Sequence, residues 1–347
     1  MCQSLQEKFL QHGVPTTTEA FDESLFKDVC DAHCHAHDDI ENLQDISQLK
    51  TGHITLMGVR QDDWDTVSKV AKECNEKEPN KCIPSFGIHP WFCHFLMMPE
   101  ENDIQQHYQR ILTSKDTQEL QDMLETLSQL PTFTFDTWYN NLRQHLLDHP
   151  NALVGEIGVD RAAKLLPGGS IKWHGVKPTS VQCSIEHQMS IFDIQCKLAR
   201  ELNRGISVHC VQGQGHLFNY LKAQSNQFST RKLKLLKEIP NTLRMCLHSY
   251  GGAPGSIKQF LELKGFCVYV SFSVGINARM TPPLKLQELI RTVPEDRLLI
   301  ESDLDSPKLI DNCMVDIIKI VAEARQWSIT KVVEITHQNW IQFISAS

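Results

Sequence analysis

Eight short apolar runs rich in β-branched residues constrain this chain more than any other feature. They occupy 28–35, 53–59, 82–89, 152–160, 205–211, 242–250, 266–274 and 297–303. Most are followed by a longer segment with helical periodicity, as at 64–76, 184–202, 256–263, 284–292, 314–327 and 331–344. Alternation of this kind is the signature of βα units and a parallel sheet. Eight strands with outer helices is the count of a closed α/β barrel of the (β/α)₈ TIM type. At 347 residues and 41% hydrophobic content the chain is long enough and apolar enough for one such barrel, or for two mid-sized domains.

The connection after the third run is much longer than an ordinary βα loop, polar and helix-prone around 116–130, and is expected to form an insertion of about 97–150 beside the barrel mouth. Residues 162–179, with the segment LPGGSIKWHGVKP, read as a second irregular loop of the kind that builds active sites. Residues 1–27 have little periodicity and read as an amino-terminal arm on a barrel spanning 28–347.

Lys and Arg number 34 against 42 Asp and Glu, a formal charge of −8, which argues against a broad electrostatic grip on nucleic acid. Any phosphate chemistry then relies on local positive charge, and bound metal ions are the obvious source. No stretch approaches the ~18–20 apolar residues that cross a bilayer, and the first residues are polar, so a soluble protein of the cytoplasm and nucleus is expected. The 12 cysteines are scattered, and Cys30, Cys210 and Cys246 sit inside apolar runs. They read as small buried hydrophobes of a reducing compartment. With no CxxC, and no second pair to match Cys30 and Cys34, a Cys-rich zinc site is not expected.

Asp31-Ala-His33-Cys-His35 closes the first run, and strand alternation points His33 and His35 the same way. Two imidazoles on one face suit Zn, Mn or Fe, with a further ligand from another strand. His37 continues the alternation but falls where the strand turns into loop. Glu156, His209, His248 and Asp303 stand at the C-terminal ends of four further runs, where barrels place their chemistry. Each alone is compatible with a satisfied core polar group. Together they are hard to explain that way, because an apolar strand has little reason to bury an unpartnered carboxylate or imidazole.

The series DAHCH, GIHP at 87–90, GEIGVD at 155–160, EHQ with IFDIQCKLARELN, ISVHC, LHSYGG and IESD resembles the TatD family of metal-dependent deoxyribonucleases, within the amidohydrolase-like superfamily. Order and spacing match from residue 28 to about residue 345. An HxH pair opens many amidohydrolases; GIHP with GEIGVD and the late ESD selects TatD. The resemblance implies two divalent ions, of Mg, Mn or Zn. His33, His35, Glu156 and Asp303 would hold the first, and Glu156, His209 and His248 the second, with Glu156 as the bridge. Two such ions roughly 3.5–4 Å apart polarise a phosphoryl oxygen and activate water. In that scheme Asp303 is the proton acceptor, catalytic together with Glu156, and His89 is the substrate-binding residue beside the scissile phosphate. The implied reaction is phosphodiester hydrolysis at DNA 3′ ends.

The chain departs from the family pattern in having Leu304-Asp305 after Asp303, with Pro307 further on, and Val211 after the His209-Cys210 pair. The long insertion and SFSVGIN at 271–277 resemble a fungal subgroup described as interactors of a tetratricopeptide subunit of the anaphase-promoting complex. Two alternatives stand beside the nuclease: an amide or ester hydrolase of the wider superfamily, and a barrel that serves as a partner of such a tetratricopeptide protein. The basic run 231–237, RKLKLLK, reads better as a solvated helix face than as a DNA track. Met97 and Met98 with Trp91, Phe92 and Phe95 read as a hydrophobic lid or a satellite core.

Overall fold

The computed structural model describes residues 19–171, 175–234 and 240–345. Residues 1–18 of the arm, 172–174 of the second loop and 235–237 of the basic run lie outside the described residues. Eight barrel strands follow in chain order: β1 (Cys30–Cys34), β2 (His53–Met57), β3 (Cys82–Phe86), β4 (Leu153–Asp160), β5 (Ile206–Val211), β6 (Leu243–Leu247), β7 (Phe266–Ser273) and β8 (Leu298–Glu301). Each pairs in parallel with the next. The seam between β8 and β1 is bridged just past the strand ends, where Asp303 N donates to the His33 carbonyl (3.0 Å) and His35 N to the Leu304 carbonyl (2.8 Å). The result is a nearly closed TIM-type barrel.

The helices lie outside the strands: α1 (Trp64–Lys77), α2 (Ile104–Ile111), α3 (Thr117–Leu127), α4 (Phe135–Asp148), α5 (Ile185–Glu201), α6 (Gln214–Ser225), α7 (Pro254–Leu261), α8 (Pro283–Thr292), α9 (Ile310–Arg325) and α10 (Ile329–Ile344). In α1 the buried residues Trp64, Val67, Val70, Ala71 and Cys74 form one stripe at helical spacing, which is why the helix lies flat on the barrel. Asp103, Asp116, Ser184 and Ser328 cap α2, α3, α5 and α10 by accepting from free first-turn amides.

Between β3 and β4 the chain makes a short turn at Cys93–Phe95 and then builds α2, α3 and α4. Helix α4 packs on β3: Trp138, Leu142 and Leu146 are buried, and the rings of His145 and His149 lie 5.1 and 5.3 Å from that of Phe86. A two-residue antiparallel ribbon, Leu112–Thr113 with Gln182–Cys183, ties the segment after α2 to the start of α5. Phe92 and Leu96 belong to the main core, and Trp91, Phe95 and Met98 pack against it, so this aromatic group is core rather than lid.

Except for β4 and β5, the observed strands stop short of the apolar runs at their C-terminal ends, because the chain there leaves the ladder to enter the mouth loops. Helices α2, α4 and α6 have no counterpart among the expected helices. Helix α6 buries only Leu217 and Leu221, too thin a stripe to stand out by periodicity. Arg231, Lys232 and Lys234 are exposed and Leu233 half-buried, as a solvated face requires. The described cysteines are free, and all but Cys210 and Cys267 are buried. Among the described residues no helix is long and apolar enough to cross a membrane.

Candidate metal centre

Glu156 sits in the middle of β4, 3% exposed, and its two carboxylate oxygens face different groups. Oε2 lies 3.4 Å from His33 Nε2 and 3.1 Å from His35 Nε2. Oε1 lies 2.8 Å from His209 Nδ1, 2.8 Å from His248 Nε2 and 3.3 Å from His89 Nε2. Asp303 closes the ring from just beyond β8, with Oδ1 3.8 Å from both His33 and His35 and Oδ2 3.8 Å from His248 Nδ1. All seven side chains named in advance, His89 included, therefore meet in one volume at the C-terminal mouth. His37 does not join them; it is buried one layer out, 3.7 Å from Asp38 and 3.8 Å from Asp63.

His33 lies within β1, whereas His35 is one residue past its end, beyond a register shift between Asp31 and Cys34. Simple alternation therefore does not carry His35 inward; its amide bond to the Leu304 carbonyl holds it there. His209 is in β5, and His248 follows β6. Close approach of β5 to β4 requires Gly158: with φ of 151°, a Cβ there would stand 2.0 Å from the His209 carbonyl oxygen.

His33 and His35 are each aimed by a bond on the outer ring nitrogen. His33 Nδ1 hydrogen-bonds Ser207 Oγ (2.8 Å), and His35 Nδ1 donates to the Met57 carbonyl (3.1 Å). Their Nε2 atoms are thereby turned inward to lie 3.1 Å apart. Two ring nitrogens pressed together beside a carboxylate are well suited to sharing a cation, with outer bonds of the kind that orient metal-ligating histidines. The donor set of imidazoles and carboxylates fits divalent ions. Three overlapping groups, His33/His35/Glu156, His89/Glu156/His209 and His33/His248/Glu301, each bring their ligand atoms within 4.8 Å of one another.

Burial pushes Glu156 up, but the imidazoles of His89, His248, His33 and His209 overcome it and hold the carboxyl well below its usual range. Burial likewise opposes charge on His35, yet the hydrogen bond and charge of Glu156, with Asp303 and Asp38, hold its pKa at about 9. His248 is raised well above the ordinary value against burial by Glu156, Glu301 and Asp303, and His209 is raised by Asp160 and Glu156. Burial dominates at His33, which is lowered, and at His89, which falls to about 4. Asp303 stays ionised below the usual range, because His248, His33 and His35 outweigh its burial.

Three acidic residues in the quoted motifs carry roles that the sequence reading left unassigned. Asp160 accepts from His209 Nε2 (3.2 Å) and from the Trp91 indole (2.7 Å), fixing the His209 ring. Glu301, fully buried, takes Ser249 N (2.7 Å), Ser249 Oγ (2.6 Å) and Ser271 Oγ, and stands 3.5 Å from His248 Nδ1. Asp31 spans the seam, accepting from His33 N (3.1 Å), Ser302 N (2.9 Å) and Ser302 Oγ (2.5 Å), and burial raises it to about 7. The signal was present in the spacing: Asp31 shares a strand face with His33, Asp160 with Glu156, and Glu301 precedes Asp303 by two.

The family described as TatD related DNase matches residues 30–345. The Cut9-interacting protein scn1 of Schizosaccharomyces pombe is 35% identical over 86% of this chain and 93% of its own length. An uncharacterized deoxyribonuclease of Saccharomyces cerevisiae is 26% identical over 80% of this chain and 84% of its own. Among solved structures, a TatD homolog from Escherichia coli K12 superposes with a TM-score of 0.56 at 17% identity, covering 92% of this chain and 98% of that one, which supports the fold. The chain thus belongs to the TatD-related DNase family of metal-dependent hydrolases.

Proposed function

We propose that this protein hydrolyses phosphodiester bonds at the 3′ ends of DNA, with two divalent metal ions. The observation that carries the reading is the division of Glu156, one oxygen toward His33 and His35, the other toward His209 and His248. His33, His35, Glu156 and Asp303 form one ligand set, and Glu156, His209 and His248 the other. Ions of this kind supply Lewis acidity to a phosphoryl oxygen and to the attacking water.

The chain's own groups do the rest. Asp303, ionised and set back 3.8 Å from His33 and His35, accepts the proton of the water. His89 Nδ1 accepts the Trp91 amide (3.1 Å), so the single proton of this neutral ring sits on Nε2, directed into the site. That N–H donates to a non-bridging phosphate oxygen. Asp160 and Glu301 hold His209 and His248 in place. With a net charge of −8, the chain is suited to a short single-stranded terminus rather than to a long duplex track.

The test is turnover of metal-loaded protein on single-stranded oligonucleotides blocked at the 3′ or the 5′ end, beside a panel of esters and amides. Cleavage is expected only with a free 3′ end. Ester or amide turnover without nucleolysis would transfer the site to the amidohydrolase alternative. The name of the fission-yeast relative, a Cut9-interacting protein, supports a second proposal, that the outer surface binds a protein partner independently of metal; the resemblance noted in the sequence makes a tetratricopeptide-repeat protein the expected partner. Pull-down with a metal-ligand variant should leave that binding intact, and its loss with the fold preserved would overturn the separation.

A further inference from the structure

Away from the barrel mouth, three side chains from distant parts of the chain meet in the dry region between the insertion and α5. Cys93 lies in the turn after β3, Cys183 ends the two-residue ribbon, and His187 is in the first turn of α5. Their exposures are 1%, 7% and 1%. The two sulfurs are 3.6 Å apart, and one ring nitrogen of His187 lies within 4.8 Å of both.

His187 is the informative member. Its Nε2 donates to the Cys93 carbonyl (3.0 Å), which leaves Nδ1 as the lone pair, and Nδ1 is buried without a hydrogen-bond partner. An orphaned imidazole nitrogen in a dry site is costly. A ring held by a backbone carbonyl on one nitrogen and vacant on the other has the form of a metal ligand. Tetrahedral zinc with Zn–S bonds of about 2.3 Å places its sulfurs about 3.8 Å apart, close to the spacing seen here. A disulfide between the same sulfurs would leave the orphaned nitrogen unexplained.

We propose that Cys93, Cys183 and His187 bind a zinc ion that pins the insertion to α5. On binding, the two thiols release two protons to solvent, two Zn–S bonds form, and His187 contributes its lone pair. No electron is transferred. The dication and the two thiolates cancel, so a neutral unit is buried and the orphaned His187 nitrogen gains a partner. The ion would also steady the loop that presents His89 and Trp91 to the mouth.

Cobalt(II) substitution of the reduced full-length protein separates this site from the mouth, whose ligands include no sulfur. Wild-type protein should show a thiolate-to-cobalt charge-transfer band in the near ultraviolet. Cys183→Ser should lose the band and one zinc equivalent, whereas Glu156→Gln and Cys30→Ser should keep the band, the latter because Cys30 lies in a separate cluster with His53 and His337. No such band in cobalt-loaded wild type, or its survival in a folded Cys183→Ser, overturns the assignment. A Cys93–Cys183 disulfide in protein purified under reducing conditions overturns it as well. If Cys183→Ser fails to fold, His187→Gln takes its place, with the same loss expected.

Discussion

The two ends of the barrel carry similar residues arranged to opposite effect. At the mouth, five imidazoles surround the single carboxylate of Glu156, with Asp303 beside them. At the floor, His53 of β2 and His337 of α10 lie next to Cys30 of β1, but each imidazole gives its Nδ1–H to a main-chain carbonyl: His53 to Asn80 (2.8 Å) and His337 to Asp28 (2.9 Å). His53 then stacks on Trp340 at 5.0 Å, with His337 edge-on at 5.4 Å. Histidine polarity at the floor is thus absorbed by the backbone and by packing, whereas at the mouth it is concentrated on a buried charge. Convergence on a shared carboxylate, rather than the presence of histidine, marks the chemical end of the barrel.

The sharpest way to break that contrast is Glu156→Gln. The substitution keeps the shape and removes the charge that offsets two dications; charges ~4 Å apart interact by about 4 kcal/mol even at an effective dielectric of ~20. The variant should lose at least one metal equivalent by plasma spectrometry and nearly all hydrolysis, while His248→Ala, a ligand of the second set alone, keeps the first metal with weakened turnover. A Glu156→Gln protein with two metals and wild-type turnover would remove the bridge and the mechanism resting on it.

Asp303→Asn comes next. Loss of a general base lowers kcat by roughly 10²–10⁴-fold, and single-turnover measurements at saturating metal should read a drop of that size. Full activity would place the proton acceptor elsewhere.

The third effect is of pH. His35 has its pKa raised to about 9, above its ordinary value, so in the metal-free protein its proton is bound at neutral pH and lost as pH rises through about 9. Stability contributed by that proton is fully present below the unfolded-state pKa and disappears over the same rise. Metal affinity runs the other way, since ligation needs the neutral ring. Calorimetric titrations should show proton release on metal binding and an affinity that climbs by up to about tenfold per pH unit per proton from neutrality toward pH 9. A flat profile would mean that His35 is already neutral in the metal-free site.

The smallest effect belongs to the floor. His337→Ala removes one hydrogen bond to the Asp28 carbonyl and should cost about 1 kcal/mol in denaturant unfolding, with kcat unchanged. A comparable fall in kcat would show that the two ends are not independent.

The elements most legible in the sequence are those set by local geometry. Short apolar runs rich in β-branched residues marked all eight strands and placed His33, Glu156 and His209 on them, because a strand buried on both faces is apolar along its whole length. His248 and Asp303 were selected by their places at the ends of apolar runs, and His89 by the family resemblance. Helix α6 was missed because its buried stripe is only two residues deep.

The contacts that form only when the barrel closes are not written in any one segment. The inward placement of His35 is decided by Leu304, and Asp31 reaches Ser302 across 271 residues. The splitting of Glu156 between two imidazole groups was implied by the family resemblance and by no local pattern, because it depends on how β1, β5 and β6 arrive around β4. Cys93 and Cys183 are 90 residues apart, so the absence of a CxxC spacing says nothing of their contact. Local periodicity is written in the backbone of each segment, but which segments face one another is a property of the closed ring, where a bond between two loops exists only after every intervening strand has taken its place.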